Sequence, residues 1–131
     1  MLKKTITFKD YNGIERTEDF YFNLSEAEIA ELQLGTAGGY KEKIEALAAS
    51  PDLPLMIKIF KEIMLRAYGK KSDDGRRFIK SKEISDEFTQ TPAYSALFME
   101  LAQDPEKMAA FINAIGPQIE PGDNITLPFT K

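Results

Sequence analysis

Two dipeptides inside the stretch from Arg66 to Ile115, RAYGKKSDDGRRFIKSKEISDEFTQTPAYSALFMELAQDPEKMAAFINAI, constrain the fold more than any other feature of the chain. In Thr91-Pro92 and in Asp104-Pro105 a capping side chain stands before a proline, whose missing N–H costs nothing in the first turn of a helix. Each predicts a helix start, and Gly116-Pro117 predicts the end of the second helix. Tyr94, Leu97, Phe98 and Leu101, then Met108, Phe111, Ile112 and Ile115, recur at helical spacing in the two segments. The two helices should form an αα-hairpin.

Upstream, Met56, Ile59, Phe60, Ile63, Met64 and Ala67 mark the most hydrophobic segment as a central core helix, with Gly69 placed for a left-handed cap. Ser72-Asp73-Asp74-Gly75 reads as a turn, Arg76–Lys80 as a short strand or extended segment presenting Phe78 and Ile79, and Lys82–Thr89 as a short helix. Ser25-Glu26-Ala27-Glu28 is a capping box that opens a helix ending near Gly35. Gly38-Gly39 separates it from another helix expected over Tyr40–Ala49.

The first two dozen residues follow a different period. Lys4–Phe8 (KTITF) and Glu18–Leu24 (EDFYFNL) are β-prone runs on either side of Asp10-Tyr11-Asn12-Gly13, and Asn-Gly supplies positive backbone angles for a tight hairpin turn. A lone hairpin is marginal in water, so its apolar face, Ile6 and Phe8 with Phe20 and Phe22, must dock on the helices. The expected fold is α+β: an N-terminal β-hairpin packed on a mainly α-helical bundle of about five or six helices. Residues 1–116 read as one domain, with the hairpin over 3–24, the helical part over 25–116, and a loosely ordered Pro- and Gly-punctuated tail over 117–131. A length of 131 residues suits a single core.

Composition narrows function more by exclusion than by assertion. The chain has no cysteine and no histidine, so it lacks a thiolate nucleophile, a disulfide framework and the side chain best suited to proton transfer near neutral pH. No catalytic residue, cofactor site or metal site is expected. A formal charge of −4 argues against general nucleic-acid binding. The N-terminus lacks the continuous apolar stretch of a signal peptide, and Leu53–Leu65 is interrupted by Lys58, Lys61 and Glu62, so neither export nor a membrane span is expected and the cytoplasm is the expected location.

Other motifs have a bland and a functional reading. Lys70, Lys71, Arg76, Arg77, Lys80 and Lys82 surround the Ser72–Gly75 turn; they read as a solvated charge run or as a basic patch for an anionic partner. The run fits neither a Walker loop nor an EF-hand. Gly38-Gly39-Tyr40-Lys41 reads as a hinge or helix start. Glu26, Glu28, Glu31, Glu42 and Glu45 read as an exposed acidic face rather than an acid/base cluster. Phe78 and Ile79 read either as core residues or as an apolar anchor with a basic rim, and the methionines either fill core gaps or line an adaptable groove.

In YGKKSDDGRRFIKS, FTQTPAYSALFMELAQD and MAAFINAIGP the chain resembles the tail assembly chaperones of long-tailed bacteriophages and prophages, strongly over its C-terminal half and more weakly before it. The resemblance implies a non-enzymatic protein that binds the long helical tape measure protein, in some systems recruits tail tube subunits, and is absent from the mature virion. It also implies a longer product made by ribosomal frameshifting. The family has no catalytic residues to carry over. The client surface is expected among Phe78, Ile79, Tyr94, Phe98, Met99, Met108 and Phe111, and the same apolar faces leave homo-oligomerisation open. Two further classes stay open: a minor virion structural protein, and a small regulatory or nucleic-acid-binding phage protein using segment 70–82.

Overall fold

The computed structural model describes residues 1–35, 38, 39, 42 and 53–116. The helix expected over 40–49, residue 42 excepted, and the expected tail over 117–131 lie outside the described residues, as does Glu45.

Strands β1 (Leu2–Lys9) and β2 (Glu15–Phe22) pair antiparallel, with Leu2 opposite Phe22 and Lys9 opposite Glu15. The period of two sorts their side chains. Leu2, Ile6, Phe8, Phe20 and Phe22 share the inner face, while Lys3, Thr5, Thr7 and Lys9 stand with Glu15, Thr17, Asp19 and Tyr21 on the other. That outer face is laced by polar cross-strand pairs: the Thr5 hydroxyl donates to Asp19 at 2.6 Å, and the Thr7 and Thr17 hydroxyls lie 2.9 Å apart. The turn differs from the expectation at one residue. Gly13 takes a positive φ of 80° but Asn12 does not, so the two-residue Asn-Gly turn is replaced by a longer loop. Asp10 holds it, its carboxylate accepting from the N–H of Asn12 (2.9 Å) and Ile14 (3.0 Å) and from Arg16 Nε (2.6 Å). The Arg16 bond, ahead of these backbone donors, keeps the Asp10 carboxyl below its ordinary pKa.

Two more strands extend the hairpin. β3 (Tyr68–Lys71) pairs with β2, β4 (Phe78–Ile79) pairs with β3, and the sheet runs β1-β2-β3-β4, antiparallel throughout. The sequence reading assigned Gly69 to a helix cap; it is instead a sheet residue without a positive φ. A methyl group there would lie 2.7 Å from the Phe78 ring and 2.8 Å from the Ile79 carbonyl oxygen, so the absence of a side chain lets β4 cross closely.

The described helices are α1 (Glu26–Gly35), α2 (Leu53–Ala67), α3 (Lys82–Thr89), α4 (Pro92–Ala102) and α5 (Pro105–Ile115). The capping box forms as read: Ser25 and Glu28 exchange side-chain-to-backbone bonds at 3.0 and 3.1 Å. Ser81, Thr91 and Asp104 cap α3, α4 and α5, with Pro92 and Pro105 in the first turns. The core lies between the sheet's inner face and α2–α5. At its centre Phe22 is fully buried, its ring 5.6 Å from Tyr68, 5.8 Å from Phe88 and 5.2 Å from Phe111. Two backbone bonds fasten the hairpin's exit to helix ends, from Asn23 N–H to the Ala67 carbonyl (2.8 Å) and from Leu24 N–H to the Ile115 carbonyl (2.7 Å). Each satisfies a carbonyl that the end of a helix would leave without a partner.

Candidate partner-binding surface

Helix α4, PAYSALFMELA, carries one charge, Glu100, and is apolar on nearly every side. A soluble helix of this composition is normally enclosed. Here only one stripe is: Ala93, Leu97 and Leu101 are buried, and these positions four residues apart face the core. Tyr94 and Phe98 form a half-buried second stripe, and Ala96 and Met99 lie on the solvent side, Met99 at 49 % exposure. The half-buried stripe is fixed from below by rings: Phe60 of α2 stands 6.1 Å from Phe98, Phe88 of α3 stands 5.4 Å from Tyr94, and Tyr94 and Phe98 are 5.9 Å apart. Burial raises the Tyr94 phenol above its ordinary pKa, so it presents a neutral hydroxyl. Glu100 is drawn aside by Lys4 and Lys107, each at 3.8 Å.

Among the residues singled out in the sequence, Tyr94, Phe98 and Met99 thus share one helix surface. Met108 is half-buried on α5 and packs against the core, and Phe111, 3 % exposed, is a core residue that offers no surface. Phe78 and Ile79 are half-buried on the edge strand β4, outside the main core cluster.

The basic segment is less free than its composition implied. Lys80 Nζ is 2.7 Å from the Asn23 carbonyl and 2.6 Å from Glu28, where it joins the start of α1 to the end of β4. Lys82 pairs with Asp86 at 2.8 Å, Lys70 reaches Glu87 at 3.8 Å, and Lys71 lies 5.3 Å from the centre of the Tyr21 ring. Arg76 and Arg77 alone among these six make no side-chain ion pair or ring contact with the described residues. Glu28 likewise leaves the acidic face it was assigned to, whereas Glu26, Glu31 and Glu42 are exposed.

Sequence reasoning missed a cleft of about 400 Å³ at the fork where β2 and β3 diverge. Its floor is aromatic: the Tyr68 and Phe88 rings stack at 4.2 Å and Phe20 stands 5.4 Å from Phe88. Glu18, Asp19, Lys70, Lys71 and Glu87 line its walls. Burial, then the nearby Glu87 and Glu18 carboxylates, push the Tyr68 phenol up. The cleft draws on three separated segments, of which the sequence marked only Glu18–Leu24 as strand-forming. Among the described residues no group of acidic side chains is placed to hold a metal ion, and no helix is long and apolar enough to cross a membrane.

These surfaces offer no catalytic arrangement among the described residues, and the comparison with known families supplies the family. Residues 1–119 match the family described as phage tail assembly chaperone. The chain belongs to that family. No curated protein and no solved structure matches it. The match spans the hairpin as well as the helices, so the resemblance seen most clearly after Tyr68 extends through the N-terminal half. Membership places the chaperone in bacteriophage tail assembly and points to a non-enzymatic role.

Proposed function

We propose that this chaperone binds the tape measure protein during tail morphogenesis, helps recruit tail tube subunits to it, acts in the host cytoplasm and leaves before the virion is complete. The observation that supports this reading is the surplus of apolar surface on α4. Tyr94, Phe98 and Met99 extend past the stripe that the core uses, on a helix rigidly capped at Thr91. An amphipathic client helix recognises such a surface by laying its apolar face along it, and a chain of formal charge −4 keeps the complex soluble. Methionine at the exposed centre adapts to differing client side chains. The pairing of Lys70, Lys80 and Lys82 with carboxylates favours a protein client over nucleic acid, since counterion release from a phosphate backbone needs several free cations.

Co-expression of the tagged chain with the tape measure protein of the same phage, followed by pull-down and a search for the chain in purified particles, tests the proposal. Capture of the tape measure protein together with absence from particles is the expected result. Stable presence in particles would make the chain a virion component and overturn the proposed departure.

A further inference from the structure

Among the described residues the fork between β2 and β3 leaves part of β2 without a partner strand on one side, and two backbone hydrogen bonds fix which peptide groups point there. Asp10 N–H donates to the Ile14 carbonyl at 2.9 Å, in line with the pairing of Phe8 with Arg16 and Ile6 with Glu18. In an antiparallel ladder bonded pairs recur at every second residue, so the even-numbered residues of β2 bond to β1. Asn23 N–H donates to the Ala67 carbonyl at 2.8 Å, in line with the pairing of Tyr21 with Gly69, so the odd-numbered residues face the other way, toward β3. β3 covers only Tyr21 and Phe22 before it turns to pair with β4 through Lys70 and Lys71. The N–H and C=O groups of Glu15, Thr17 and Asp19 therefore point to where a longer β3 would lie, and among the described residues no strand pairs with them on that side.

We propose that this open edge is a second binding site, distinct from the α4 surface, which takes an extended segment of a partner protein as an added strand. The geometry also specifies the segment's chemistry. Alternate side chains of an added strand would fall on the two faces of the sheet. On the inner face the side chain opposite Glu18 lies nearest the aromatic floor of Phe20, Tyr68 and Phe88, which takes an apolar group, and the next stands opposite Arg16. Those on the outer face stand beside the exposed carboxylates of Glu15 and Asp19, which favour lysine or arginine. Strand addition draws affinity from main-chain bonds and specificity from such alternate pockets. The ligand is thus an extended segment that alternates apolar and basic residues. Thr91 borders the cleft at the start of α4, and Met99 is eight residues on, about 12 Å along the helix axis. The two sites can be filled independently, and this proposal does not rest on the helical-client reading.

The test is residue-resolved amide exchange by NMR on the full chain, with an acetylated and amidated heptapeptide that alternates lysine with valine around a central phenylalanine. In the free protein the amides of Thr17 and Asp19 exchange fast while those of Glu18 and Phe20 are protected. The peptide at up to about 1 mM slows Thr17 and Asp19 by about tenfold or more. A peptide of the same charge with proline in place of valine leaves them unchanged. Thr17→Pro removes a donor on the open side, where a strand tolerates proline, and abolishes peptide protection at Asp19 while Glu18 and Phe20 stay protected. Should that variant fail to fold, Glu15→Lys with Glu87→Lys gives a second test and weakens binding several-fold. Thr17 and Asp19 amides already protected in the free chain, equal protection by the proline peptide, or no protection at 1 mM would each overturn the proposal.

Discussion

Glu28 ties the start of α1 to the end of β4, two pieces of backbone far apart in the sequence. Its carboxylate accepts from Ser25 N–H in the capping box and from Lys80 Nζ, and Lys80 in turn reaches the Asn23 carbonyl. Burial raises the Glu28 carboxyl, but the Lys80 bond, the Ser25 amide and the Lys80 charge outweigh it, so its pKa falls below the ordinary 4.5. A carboxylate depressed in the folded state contributes stability above its unfolded pKa, and that contribution is lost as pH falls through the lower folded value. Because the pair is partly solvated, Lys80→Met should cost only about 1 kcal/mol at pH 7. The gap from wild type should shrink in urea titrations below pH 4.5, as Glu28 becomes protonated in both states. An added methyl at Gly69 meets the backbone oxygen of Ile79 as well as the Phe78 ring, so Gly69→Ala should lower the urea midpoint by the equivalent of about 1–3 kcal/mol. Neither role was legible in the sequence. The Lys80–Glu28 pair spans 52 residues, and a glycine after an apolar helix carries the same local signal whether it caps the helix or lies under a crossing strand.

Helices were the legible elements because their stop and start signals are local. Thr91-Pro92, Asp104-Pro105 and Ser25–Glu28 sit where the chain turns into helix, and the apolar spacing of α2 marks the face that is buried. Asp104 accepts from the N–H groups of Glu106 and Lys107, so Asp104→Ala should destabilise the protein by about 1 kcal/mol, measured as a shift in urea midpoint with an unchanged slope. Strands β3 and β4 were only half legible. Tyr68–Lys71 follows α2 without a turn residue between them, and β4 is two residues long, so no period of two had room to show. The hairpin turn was read correctly in place but not in type, since Asn-Gly is compatible with both turns and the Asp10 carboxylate, which caps the loop from within, selects the longer one.

For the molecule as a whole, the inner face of the sheet closes the core against the helices, and the helices present what remains of their apolar surface. Tyr94, Phe98 and Met99 were picked out from the sequence as a possible surface, and they share α4; Phe111 could not be told from them, because on an amphipathic helix a core position and a client-facing position have the same residue types. On the proposed reading, the solvent side of α4 holds the client. Met99 is exposed enough that Met99→Asp should change stability by no more than about 0.5 kcal/mol. The most direct test is quantitative pull-down of the tape measure protein by wild-type and Met99→Asp chains, with their urea midpoints measured in parallel. At least about a tenfold loss of client binding, equivalent to about 1.4 kcal/mol, is expected with the midpoint nearly unchanged. Undiminished capture by a folded Met99→Asp chain would contradict that reading.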